Sequence, residues 1–141
     1  MKITFKKSKL IVFYQLLNAV KAKGRKSRAV TKFNKLIVGK IEELQEDEKT
    51  LIAQYFEVGE DGNAKRDSED NLIALEGVDV AEYDKEWQEL HEEDVVIGLT
   101  EYKPYFEFLQ SALEDWEQDL SGNDAIVYDE LLDEIEKVDA E

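Results

Sequence analysis

The first 40 residues of this chain contain 12 Lys and Arg and no Asp or Glu, although the whole 141-residue chain is strongly acidic. The whole chain has 18 Lys and Arg and 34 Asp and Glu. Residues 1–40 therefore carry a formal charge of +12, and the remaining residues carry −28. Such asymmetry is typical of a basic arm for nucleic acid or membrane beside an acidic body. The alternative is that the two parts neutralise one another within one fold. We favour the alternative because residues 1–40 also carry apolar side chains at helical spacing, which requires burial.

The composition predicts a folded chain of one domain over residues 1–141. Hydrophobic residues make up 43% of the chain and there is one Pro, which is unlike the composition of disordered proteins. The absence of Cys excludes disulfides and thiolate chemistry, and it fits a reducing compartment such as a cytoplasm. No stretch has the 18 or so apolar residues of a membrane span, and no clean cleavage site follows the apolar run near the N-terminus. We therefore expect no membrane association.

Five segments show the apolar period of α-helices. Four of them cover residues 10–24, 28–56, 80–91 and 104–120, and the fifth follows a cap at residues 121–124 and has its apolar positions between residues 127 and 138. Gly24 is interpreted as the end of the first helix, Ser27 as the cap of the second, and Pro104 as a first-turn residue of the fourth.

Two short segments alternate polar and apolar residues or are rich in β-branched residues. Residues 2–5 and 95–99 are predicted strands, and they could pair with each other. Asp61-Gly62 predicts a type I′ turn, with Val58 and residues 72–75 as its flanking strands. The predicted fold is α+β and mostly α, with about five helices including one long helix and a small antiparallel β element.

The second helix is the longest predicted element, and its charges oppose its own dipole. Over residues 28–56 it would measure about 43 Å, with Lys and Arg in its first half and acids such as Glu46 and Asp47 in its second half. An antiparallel copy would place basic half against acidic half, which motivates a homodimer hypothesis. Other helices of the same chain could equally supply the complement.

Two charged clusters are candidate partner-binding sites. The basic cluster surrounds the turn at Gly24 and could contact phosphates of a nucleic acid. It consists of Lys21, Lys23, Arg25, Lys26 and Arg28. The acidic cluster Glu92, Glu93 and Asp94 could contact a basic protein as part of the acidic portion of the chain. It could also collect a divalent cation, but consecutive acids at a helix end point in different directions, so a solvated face is the favoured interpretation over a cation site.

The sequence offers little for catalysis. It has a single His, no Cys, no glycine-rich phosphate loop and no nucleophile elbow. Asp67, Glu69 and Asn71 match the first ligand spacings of an EF-hand, but Leu72 and Val78 replace its glycine and its final Glu. We therefore predict no enzyme activity, no cofactor and no metal site.

Several short features resemble a family of small uncharacterised proteins of tailed phages and prophages of Gram-positive bacteria, a domain of unknown function. The features are Lys2-Ile3-Thr4-Phe5-Lys6, Gly24-Arg25-Lys26-Ser27-Arg28, Asp61-Gly62-Asn63, residues 86–93 followed by Val95-Val96-Ile97, Ser121-Gly122 and Tyr128-Asp129. The resemblance implies a viral origin and production in the cytoplasm of a bacterial host. It implies no catalytic residue and no cofactor.

These observations together predict a non-enzymatic phage accessory protein that acts through protein–protein contact. One alternative is an acidic inhibitor of a host nucleic-acid-binding protein, of the anti-defence or nucleic-acid-mimicking kind. Another is a direct nucleic-acid binder that uses the basic turn at residues 21–28.

Overall fold

The computed structural model describes residues 1–138. Contacts concentrate in two compact units, which we call the core unit, Met1–Ile41 with Asp94–Glu141, and the acidic unit, Glu42–Glu93. This division records where contacts are dense and does not test independent folding, so the single domain over residues 1–141 stays a prediction.

The fold is α+β and mostly helical, as predicted. Its elements are β1 (Lys2–Lys6), α1 (Leu10–Ala19), α2 (Gly24–Tyr55), α3 (Val80–Glu92), β2 (Asp94–Gly98), α4 (Lys103–Glu114) and α5 (Gly122–Glu136). The long helix exists, and it begins four residues before the predicted start. Its 32 residues belong partly to the core unit and partly to the acidic unit.

The two strands of the core unit form a two-stranded antiparallel sheet. Ile3 lies opposite Ile97 and Phe5 lies opposite Val95, and all four side chains are buried. Successive side chains of a strand point to opposite faces, so this register puts both apolar pairs on one face. The predicted pairing of the N-terminal strand with residues 95–99 is confirmed.

Helices cover the buried face of this sheet. The ring of Phe13 on α1 meets that of Phe5 edge to face, with 5.0 Å between centroids. Helix α1 also packs on α5, whose Val127, Leu131 and Ile135 recur every fourth residue and are buried. The apolar stripe of α2 contributes Phe33, and that of α4 contributes Leu109.

The acidic unit is built around aromatic rings. Tyr83 on α3 meets Phe56 edge to face at 4.8 Å and lies 5.7 Å from Tyr55 and 5.9 Å from Trp87. Asp79 caps α3 by accepting a hydrogen bond from the N–H of Ala81 at 2.9 Å. Helix α3 follows the predicted span 80–91 to within one residue.

The prediction for the end of the first helix was wrong. Helix α1 ends at Ala19, and Val20 is extended with ψ 125°. Gly24 has φ +58°, a conformation that favours glycine, but it stands at the start of α2 rather than at the end of α1. The cap assigned to Ser27 was therefore also wrong, since Ser27 lies inside α2. A glycine with positive φ borders a helix on either side, and spacing alone cannot choose the side.

The predicted end of the fourth helix was wrong as well. Helix α4 begins at Lys103 with Pro104 in its first turn, as predicted, but it ends at Glu114 instead of residue 120. Asp115 forms an ion pair with Lys26, and the ring of Trp116 lies 6.0 Å from that of Tyr128. The helix therefore ends where its next residues contact other helices.

The turn at Asp61-Gly62 is also different from the predicted type I′ turn. Gly62 has φ +82°, whereas Asp61 is not among the described residues with positive φ. The carboxylate of Asp61 instead accepts a hydrogen bond from the N–H of Asn63 at 3.0 Å. Val58 pairs across this turn with Ala64, and residues 72–75 pair elsewhere in the unit, through Leu72 and Ala74.

Candidate functional site

The predicted basic cluster lies on the connector after α1 and on the first turns of α2. Lys21 and Lys23 belong to the connector, and Arg25, Lys26 and Arg28 belong to the helix. The structure thus brings the five cations to one region of the core unit, and all but Lys26 are exposed.

Two of these cations already contact α4 and the residue that follows it. Lys26 Nζ lies 2.7 Å from Asp115 Oδ2, and the guanidinium of Arg25 lies 5.8 Å from the ring centroid of Phe108. These contacts stabilise positive charge at the N-terminus of α2, where the helix dipole disfavours it. Lys21, Lys23 and Arg28 make no ion pair within residues 1–138.

The acidic cluster spans the passage from α3 to β2. Glu92 is the last residue of α3, Glu93 is its C-cap, and Asp94 begins β2 opposite Lys6 of β1. All three acids are exposed. The described residues contain no group of three acidic or imidazole side chains arranged to hold a metal ion.

The net charge of the chain lies almost entirely on the acidic unit. The core unit has 14 Lys and Arg against 15 Asp and Glu, a formal charge of −1. The acidic unit has four Lys and Arg against 19 Asp and Glu, a formal charge of −15. Folding thus places the basic segment 1–41 in one compact unit with the acids of residues 94–138.

Direct contacts within the core unit are consistent with this neutralisation. Lys9 Nζ lies 2.7 Å from Glu130 Oε2 on α5. Lys32 lies over the ring of Tyr105, 5.1 Å from its centroid, and Lys26 pairs with Asp115 as described above. Each exposed pair contributes little by itself, about 0–1 kcal/mol. The core unit is nearly neutral because it holds almost equal numbers of cations and acids, and the two ion pairs bring some of these opposite charges into contact.

His91 is held within the acidic unit by two polar contacts. Its Nε2 lies 2.8 Å from Glu48 Oε2, and its Nδ1 lies 2.7 Å from the carbonyl oxygen of Trp87. The imidazole also lies 4.7 Å from the Trp87 ring, measured between centroids. Both ring nitrogens are therefore engaged, and neither is presented as a base or a metal ligand.

The phenol of Tyr55 shows how dense the negative charge of the acidic unit is. Its hydroxyl donates a hydrogen bond to Glu86 Oε2 at 2.9 Å, and this bond raises the pKa of Tyr55 above its ordinary value. Burial and the nearby carboxylates of Glu82 and Asp79 raise this pKa further.

Sequence reasoning missed a recess of about 510 Å³ in the core unit. Its walls come from α1, from residues 116–120 and from the first turns of α5. Trp116 and Leu120, which helical spacing assigned to the core, line this recess and are only half-buried. The signal that could have located it is the run from Ser121 to Asp124, which interrupts the helical pattern close by.

A second recess of about 510 Å³ lies beside the N-terminus of α4. Lys32, Lys35, Tyr102 and Tyr105 contribute to its lining. The hydroxyl of Tyr102 is buried and donates a hydrogen bond to the carbonyl oxygen of Ala29 at 2.6 Å. Burial raises the pKa of Tyr102 far above its ordinary value, so this hydroxyl stays protonated and serves as a structural donor.

Within residues 1–138, no helix combines the length and the apolar character that crossing a membrane requires. A search of curated proteins found no match, and a search of solved structures found none either. A family model described as "Protein of unknown function (DUF1617)" matches residues 1–140. An uncharacterised family is what the resemblance in the sequence implied, and the chain belongs to the DUF1617 family.

Proposed function

We propose that this protein is a non-enzymatic accessory protein whose acidic unit binds a basic surface of a partner protein. The observation that carries the proposal is the formal charge of −15 on residues Glu42–Glu93, beside a core unit of charge −1. A field of one sign accelerates encounter with an oppositely charged partner and disfavours acidic ones.

Many carboxylates of the acidic unit are available to such a partner. Eight exposed acids have side chains that make no hydrogen bond or ion pair within the described residues. They are Glu42, Asp47, Glu57, Glu60, Glu69, Glu76, Glu82 and Asp84. They occupy α2, α3 and the bridged segment between these helices, so the charge is spread over the unit.

The biological setting belongs to this proposal. The resemblance to tailed-phage proteins supports a phage product that acts in the cytoplasm of a Gram-positive host. A nucleic-acid-binding protein is a partner class that the charge favours, because its binding groove presents cations that phosphates normally neutralise. In that case the acidic unit would compete with nucleic acid for the groove.

A matched pair of variants tests the proposal. The first variant neutralises four acids of the acidic unit, Glu42→Gln, Asp47→Asn, Glu82→Gln and Asp84→Asn. The second neutralises four exposed acids of the core unit, Glu107→Gln, Asp129→Asn, Asp133→Asn and Glu136→Gln. Both reduce the negative formal charge from −16 to −12 with nearly isosteric side chains.

The assay is affinity capture from a lysate of a Gram-positive host, followed by quantification of each retained basic protein. We expect the wild type and the second variant to retain a partner protein that the first variant loses. If that partner binds nucleic acid, added DNA should displace it. Equal retention by both variants, or equal loss, would contradict a binding surface on the acidic unit. Retention of no protein above background would contradict it as well.

A direct nucleic-acid binder is the second candidate function, because Lys21, Lys23 and Arg28 are exposed and make no ion pair within residues 1–138. Phosphate contacts weaken steeply with salt, so a gel shift with short duplex DNA at low and at high salt tests this candidate. The absence of a complex at low salt would eliminate it.

The homodimer through residues 28–56 also stays a proposal. In the structure, Lys32 of α2 lies over the ring of Tyr105 and Glu48 of α2 contacts His91, so two charged side chains of the helix already have partners within the chain. Sedimentation at micromolar concentration tests the dimer, and a purely monomeric species would contradict it.

A further inference from the structure

The recess bounded by α1 and residues 116–120 combines an apolar floor with a hydrogen-bonding rim. Leu16 and Val127 at its base are buried, and Trp116 and Leu120 beside them are half-buried. A volume of about 510 Å³ falls within the range of ligand sites in proteins. The apolar floor favours an aliphatic or aromatic group.

The rim carries four carboxamide side chains, Gln15, Asn18, Gln118 and Asn123. Asn18 already accepts a hydrogen bond from Asn34 Nδ2 at 2.9 Å, and the other three make no side-chain hydrogen bond within residues 1–138. A carboxamide offers both a donor and an acceptor, as does each peptide unit of a polypeptide backbone. These side chains therefore suit a ligand that carries both N–H and C=O groups. A ligand made only of acceptors, such as a phosphate, would leave the amide oxygens unmatched.

The wall formed by residues 117–120 is an irregular segment whose main chain is unpaired. Within residues 1–138, its N–H and C=O groups make no backbone hydrogen bond, and the indole N–H of Trp116 has no acceptor. Main-chain N–H and C=O groups without internal partners can hydrogen-bond the backbone of an extended peptide.

Charge on the rim distinguishes among peptides. Lys21 supplies one cation, and Asp119 and Asp124 supply two carboxylates. None of these three side chains makes an ion pair within the described residues. The excess carboxylate favours a basic residue next to the apolar group.

We propose that this recess binds an extended peptide segment of a partner protein, with one apolar anchor residue on the floor and a neighbouring basic residue at the rim. This site lies in the core unit and is separate from the acidic surface of the proposed function. The two proposals can therefore fail independently.

Nuclear magnetic resonance with isotope-labelled full-length protein tests the site directly. The probe is an equimolar pool of acetylated, amidated pentapeptides that carry Leu, Ile, Phe or Met followed by Lys, within Gly residues. We expect the pool to shift the backbone amides of residues 117–120, the Trp116 indole N–H and the carboxamide signals of the rim.

A matched pair of variants locates the binding. Ala19→Trp adds bulk to the recess at an exposed position at the end of α1, and Ile11→Trp adds the same side chain to an exposed position of α1 outside the recess lining. We expect Ala19→Trp to weaken binding by about tenfold or more, which is about 1.4 kcal/mol. Ile11→Trp should leave the affinity unchanged.

Three results would overturn the proposal. The first is the absence of shifts around the recess at millimolar peptide, and the second is equal affinity of the two Trp variants. The third is equal binding of free leucine or of butylammonium, since the recess would then select a small molecule and not a peptide backbone. The variant that neutralises Glu42, Asp47, Glu82 and Asp84 should bind the peptides as the wild type does. Failure of peptide binding can therefore be distinguished from failure of the proposed function.

Discussion

Removing the buried hydroxyl of Tyr102 should change both the stability of the protein and its response to alkali. The hydroxyl joins α4 to α2 by donating to the carbonyl oxygen of Ala29, 73 residues away in the chain. Tyr102 is 6% exposed, so the Tyr102→Phe variant loses a buried hydrogen bond and little packing. We expect it to be less stable than the wild type by about 1 kcal/mol at neutral pH.

The pH dependence follows from the raised pKa of Tyr102. A group whose pKa is higher in the folded than in the unfolded state contributes stability that is present below the unfolded pKa and lost as pH rises through the folded one. The unfolded phenol titrates near pH 10, and the folded one far above it. The wild type should therefore lose about 1.4 kcal/mol through Tyr102 by about pH 11, whereas Tyr102→Phe loses none of it.

Urea unfolding followed by circular dichroism, at intervals from about pH 8 to about pH 11, measures this difference. The wild-type advantage of about 1 kcal/mol should reach zero at about pH 10.7 and be reversed by about 0.4 kcal/mol at about pH 11, because the other tyrosines are common to both proteins. Tyr105→Phe is the control, since its hydroxyl makes no hydrogen bond within residues 1–138 and its loss should cost less than about 0.5 kcal/mol. A wild-type advantage that stays constant with pH would refute the argument.

Two further predictions concern the acidic unit. Asp79→Ala removes the cap of α3 and should lower the free energy of unfolding by about 1 kcal/mol. Asp79→Asn keeps a side-chain acceptor and should lower it much less. An equal loss in both variants would show that the cap hydrogen bond is not the cause. A double-mutant cycle of Glu48→Gln and His91→Leu should give a coupling of about 0.5–1 kcal/mol, because the 2.8 Å contact is only partly exposed. Strictly additive effects in urea unfolding would contradict that coupling.

Local patterns predicted the elements whose ends are marked by local chemistry. The apolar spacing from Val80 predicted the start of α3, and Pro104 predicted that of α4 to within one residue. The alternation of Ile3 and Phe5 in β1 predicted the buried face of the sheet. Such signals depend on neighbouring residues and are visible without the fold.

Helix ends that depend on other helices were not predictable in this way. The apolar spacing of α4 continues through Trp116 to Leu120, yet the helix stops where Asp115 meets Lys26 and Trp116 packs on Tyr128. The recess was missed for the same reason, because side chains assigned to a core stripe became its walls. The residues of the basic cluster were found from the sequence. The partners of Arg25 and Lys26 were not, because Phe108 and Asp115 lie far away in the chain, in and just after α4.

The amino-acid sequence alone determined that this chain is mostly helical, contains a small antiparallel sheet and separates positive from negative charge along its length. Tertiary structure decided where that charge goes. Folding brings residues 94–138 back to the basic segment and leaves residues 42–93 with a charge of −15. The physical reason is that helical and strand periods depend on neighbours a few residues apart, whereas charge neutralisation depends on which distant segments the core packs together.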